Sequence, residues 1–143
     1  MRKAASSMSG PIPWWKPTST VIPTGLHVID TNFWPASATV DRDTLSRFGA
    51  SIAYDSSYDT KVIIAAYGLK EGEEIPDPSI CTKTIPEGRP FWSTGGEDFP
   101  PGQHTVSQEF AYEDDPNYTH LIIWVRVSGD GEEHCDQHVY TLE

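Results

Sequence analysis

The chain has 143 residues, 37 % of them hydrophobic, with 12 Pro, 11 Gly and a net charge of −11. That length fits one domain and leaves little room for two, and no apolar run approaches the ~20 residues that a membrane-spanning helix needs. Charge is split along the chain: residues 1–29 hold Arg2, Lys3 and Lys16 and no acid, +3, whereas residues 30–143 hold all 21 acids against seven bases, −14. So acidic a body argues against nucleic acid as a partner, because phosphates are repelled over most of its surface. The basic segment suits an acidic protein surface, including that of a second copy.

Residues 1–24 read as an extended arm. Pro11, Pro13, Pro17 and Pro23 fix φ and push their neighbours towards extended conformations. Trp14 and Trp15 stand together in its middle, and two adjacent indoles need an apolar surface, either on their own domain or on another subunit. Pro13, Trp14, Trp15, Lys16 and Pro17 are therefore the candidate partner-binding residues. The first ten residues are basic but lack an apolar segment, so they do not read as a signal peptide.

Residues 25–143 read as a β-domain. Strands are expected over 26–33, over 45–54, where Phe48, Ala50, Ile52 and Tyr54 share one face, and over 61–69, a nearly unbroken apolar run that suits a central strand buried on both faces. The stretch 70–103 carries six prolines and is expected to be mostly loop, with a short edge strand over 79–85. A loop this long is often functional or ordered by a partner. Strands resume over 104–112, 120–127 and 134–142, the last two joined by a hairpin turn at Ser128-Gly129-Asp130-Gly131. No segment shows a 3.6-residue apolar stripe, and there is no internal repeat.

About seven short antiparallel strands with two apolar central ones and a final hairpin resemble an immunoglobulin-like β-sandwich. The order is similar to that of bacterial cell-adhesion-related modules of the CARDB type. The features concerned are Phe48–Tyr54, Val62–Leu69, Phe99-Pro100-Pro101-Gly102 and Leu121–Val127. The resemblance implies fold alone: Cys81, Cys135 and Trp124 depart from the antibody-like positions, and no functional residue carries over.

Several groups have the chemistry of a site. His134, Asp136 and His138 fall on one face of a strand at i, i+2 and i+4, a weak candidate for metal binding with His104 or His120 as a further ligand; an ordinary outward face of a terminal strand reads the same way. Acids cluster in turns at 71–74, 97–98, 113–115 and 130–133, which suits either Ca²⁺ or a solvated acidic surface. Cys81 and Cys135 can form a disulfide worth ~4 kcal/mol in the chain-entropy model, or remain two thiols. Asn117-Tyr118-Thr119 has the form of a glycosylation acceptor. Trp34, Trp92 and Tyr118, with Phe91, are candidate sugar-stacking residues, although Phe91 and Trp92 read more simply as packing under the long loop. There is no nucleophile elbow, phosphate loop or dinucleotide fingerprint, and no cofactor is expected. Two expectations follow. The first is a non-enzymatic structural or interaction module that oligomerises or joins a larger shell through its arm, as a virion decoration or surface accessory protein does. The alternative is a carbohydrate-binding or adhesion module, assisted by Ca²⁺.

Overall fold

The computed structural model describes residues 25–81 and 83–143; the arm expected over 1–24 lies outside them. Within the described residues the chain is all β, with no helix. Its strands are β1 (Leu26–Trp34), β2 (Thr39–Val40), β3 (Arg47–Ser56), β4 (Thr60–Lys70), β5 (Phe91–Ser93), β6 (Glu97–Phe99), β7 (Gly102–Ala111), β8 (Tyr118–Gly129) and β9 (Glu132–Leu142). The six long strands lie where period-two patterning puts them, within two residues at each end.

Two sheets face each other as a sandwich. The smaller has the order β1-β3-β7; the larger has β2-β9-β8-β4-β5, with β6 also on β4. Only β2 and β9 pair in parallel; every other pairing is antiparallel. The inter-sheet core takes Phe48, Ile52 and Tyr54 from β3, Val62 and Ile64 from β4, and Leu121, Ile123, Val125 and Val127 from β8. Trp92 closes one edge: its ring stacks on Tyr112 and meets Phe48 edge-on, and its indole N–H donates to the Ala111 carbonyl at 2.8 Å.

Local chemistry explains the irregularities. A bulge between Val28 and Asp30 pushes Ile29 outward, 51 % exposed, and switches the inward residues of β1 from Leu26 and Val28 to Phe33. The β8–β9 hairpin turns through Asp130 and Gly131, both at positive φ (47° and 80°), as a two-residue turn of this twist requires. No strand forms among the described residues of 79–85. Asp77 instead accepts hydrogen bonds from the Ser79 amide and hydroxyl, and the flanking Pro76, Pro78 and Pro86 remove amide donors that an edge ladder would use. Two three-residue strands, β5 and β6, lie in the part of 70–103 that reads as loop.

The larger sheet is apolar on its outer face as well. Ala65, Tyr67 and Leu69 of β4 and Ile122 and Trp124 of β8 form a second buried cluster there, with Ile63, Ile85 and Val139 packed against it. The strand expected over 61–69 is buried on both faces because described residues of 71–90, Ile85 among them, cover this side.

Gly68 marks where packing leaves no room for a side chain. The ring of Tyr118, itself buried, lies flat on it, and a Cβ at Gly68 would sit 2.5 Å from that ring. Gly68→Ala is expected to lower unfolding stability by about 1–3 kcal/mol, the cost of overpacking a filled core. Urea unfolding with an unchanged slope checks this; a loss below a few tenths of a kcal/mol contradicts it.

Candidate functional site

Residues 71–90 form a strap across the outer face of the larger sheet, fixed at its base and in its middle. At the base, the Arg89 guanidinium is nearly buried and donates to both carboxylate oxygens of Glu73 at 2.7 Å each, and to the Gly68 carbonyl at 2.8 Å. Glu73 also accepts the Lys70 amide at 2.6 Å. Arg89, then the Lys70 amide, hold the Glu73 carboxyl at about 2, well below its ordinary 4.5. In the middle, Cys81 is bonded to Cys135 of β9, with Cα atoms 5.3 Å apart, and the Gln137 side-chain amide donates to the Pro76 carbonyl at 2.8 Å. Alternation along β9 explains why these two residues serve: Cys135, Gln137 and Val139 face the strap, while Asp136, His138 and Tyr140 face the other way.

Between the strap and β4 lies a cleft of about 580 Å³. Its floor is Tyr67 and Leu69, its apolar walls include Ile75 and Ile80, and Glu74, Asp77 and Lys83 stand at its rim. Ile75 and Ile80 are 51 % and 53 % exposed, among the four most exposed large hydrophobic residues described. The Lys83 ammonium donates to the Asp77 carbonyl at 2.8 Å, holding the rim in shape. Sequence patterning alone does not place this cleft. Its signal was the double-sided apolarity of 61–69 and 120–127 beside a long irregular segment.

The sugar-stacking candidates do not make one platform. Trp34 lies over Gly49 on the outer face of the smaller sheet and donates to Glu109 at 3.1 Å. Trp92 and Tyr118 do line one recess of about 380 Å³ with Phe91 and the acidic turn 113–115. Tyr118, however, is only 4 % exposed and Trp92 is committed to the core edge, so Phe91, 55 % exposed, is the aromatic surface on offer.

The four candidate histidines are each otherwise engaged. His134 pairs with Asp136 at 2.9 Å; His138 bonds the Ser37 carbonyl at 2.9 Å and stacks on Phe33. This face of β9 is half-buried towards β1 rather than outward, because Tyr140 on the same face must reach the core. His104 and His120 bond the Pro100 carbonyl and the Thr119 hydroxyl. No group of three His, Cys, Asp or Glu side chains converges among the described residues.

The acidic turns divide between the two ends of the sandwich instead of meeting. Asp114 accepts from Arg42 and the Tyr112 hydroxyl, and Asp115 caps the Asn117 amide. At the other end Glu133 pairs with Arg126, and Glu132 accepts from the Tyr58 hydroxyl and the Leu26 amide. The candidate partner-binding residues Pro13, Trp14, Trp15, Lys16 and Pro17 lie outside the described residues. No helix among the described residues is long and apolar enough to cross a membrane.

Compared with known proteins, the chain matches no protein-family model and no curated protein sequence.

The ion pair at the base of the strap gives a pH dependence with a definite sign. Because folding depresses the Glu73 pKa, its contribution is complete above about pH 4.5 and is lost as pH falls through about 2. Pepsin is active across this window. Glu73→Gln is expected to be cut within residues 71–90 faster than wild type at pH 4.5, and the two rates should converge near pH 2. A rate ratio that stays constant across the window contradicts this.

Proposed function

We propose that the chain is a non-enzymatic interaction module that joins copies of itself, or a larger shell, through its N-terminal arm. A virion decoration protein or a surface accessory subunit is the kind of role meant. The observation that carries the reading is the pairing of opposites within one chain. Residues 1–29 hold +3, no acid and the adjacent Trp14 and Trp15, while the remainder holds −14. An aromatic anchor with a neighbouring cation is what concentrates binding energy in protein interfaces, and opposite charge speeds and orients the encounter. We read the sandwich as immunoglobulin-like, of the CARDB type; two facing sheets with long central strands and a closing hairpin support that reading.

A second reading, carbohydrate binding, has one observation in its favour: exposed Phe91 at the recess beside the acidic turn 113–115. A glycan array with and without chelator separates the two, since only this reading expects binding.

For the assembly reading, the mass of the full chain in solution, measured over a range of concentrations, is expected to exceed 15.9 kDa. The double variant Trp14→Ala, Trp15→Ala is expected to return it to the monomer value. An unchanged mass distribution in that variant contradicts the reading.

A further inference from the structure

We infer that the cleft between the strap and β4 receives the N-terminal arm of a second copy of this chain. Trp14 and Trp15 lie against Ile75 and Ile80, and Lys16 pairs with Glu74. The inference rests on the arm being the assembly element and names the surface that accepts it.

Three observations carry it. The first is apolar match: Ile75 and Ile80 flank the cleft while more than half exposed, and its volume lies within the ~300–1,000 Å³ typical of sites that enclose a compact ligand. The second is charge. Residues 71–90 contain Glu71, Glu73, Glu74, Asp77 and Glu87 against Lys83 and Arg89, −3, and residues 1–24 carry +3. Arg89 is used up by Glu73, whereas Glu74 forms no ion pair among the described residues.

The third observation is reach. Gly25 is tied to Ser57, and the Leu26 amide to Glu132, so the arm is rooted at the hairpin end of the sandwich on the side of the smaller sheet. Tyr67 and Leu69 lie towards the other end of β4, on the far face of the larger sheet. That path is roughly 40 Å over the surface: about 20–25 Å along the strands, one sheet spacing of ~10 Å, and about as much again for the strap. The eleven residues from Trp14 to Gly25 span at most about 36–40 Å. A chain's own tryptophans therefore reach its own cleft only with the arm drawn out to its limit, whereas a second copy supplies them without that constraint.

The test uses the full chain with a photoreactive benzoylphenylalanine at position 14, mixed from unlabelled and ¹⁵N-labelled protein. Cross-links joining one isotope's position 14 to residues 71–86 of the other are expected. Links within single chains, links to any other surface, or no links overturn the inference. In parallel, Ile80→Glu is expected to weaken self-association about tenfold or more, the scale of losing an interface anchor, with an unchanged near-ultraviolet circular dichroism spectrum. If the Trp14→Ala, Trp15→Ala variant dissociates while Ile80→Glu associates like wild type, the arm reading stands and the cleft falls. If the tryptophan variant itself associates normally, the reading beneath the inference falls with it.

Discussion

The two central strands of the larger sheet are apolar on both faces, so that sheet has to be covered twice. Leu121, Ile123, Val125 and Val127 of β8 face the smaller sheet, while Ile122 and Trp124 face the opposite way, as do Tyr67 and Leu69 of β4. Burying each side chain of this size contributes about 1.5–3 kcal/mol. The outer cluster thus accounts for a sum comparable with the whole net stability of a domain, 5–15 kcal/mol. A sandwich of two sheets supplies only one cover. The strap supplies the other, and the rest of the architecture on that side follows from keeping it in place.

A strap without strands of its own has few backbone hydrogen bonds to hold it. The chain answers with side-chain fixings that differ in kind. Arg89 and Glu73 tie the two ends of the strap to each other and to the end of β4, a short-range arrangement that satisfies a nearly buried guanidinium in three directions. The Cys81–Cys135 bond ties its middle to β9, across 54 residues of sequence. The ion pair depends on pH and the disulfide on redox conditions, so the two fixings respond to different perturbations. Where the strap bridges between them it leaves a cleft with exposed isoleucines.

Much of this was legible in the sequence. Phe48, Ala50, Ile52 and Tyr54 announced the inner face of β3, and the run Val62–Leu69 announced a strand with no polar side. What could not be read was which part of the chain sits on that second face. Proline density in 70–103 indicates an absence of ladder but not the path taken, and Asp77 won the Ser79 donors that an edge strand would have used. The strands β5 and β6 escape sequence patterning for the opposite reason: three residues are too few to show alternation, and Trp92 reads either as a stacking aromatic or as packing under the loop until its neighbours Phe48 and Tyr112 are known. His134, Asp136 and His138 do share a face, as period two requires. That the face turns inward is set by Tyr140 at the end of the strand, a tertiary fact that local spacing does not contain.

The dependence of the outer cluster on its strap is most directly tested with 5-fluorotryptophan in the full chain, following the ¹⁹F resonances of Trp124 and Trp92 while the Cys81–Cys135 bond is reduced. Trp124 lies beneath the strap and Trp92 at the edge between the sheets. The resonance of Trp124 is predicted to shift on reduction while that of Trp92 stays in place. A Trp124 resonance unmoved after complete reduction would contradict the account.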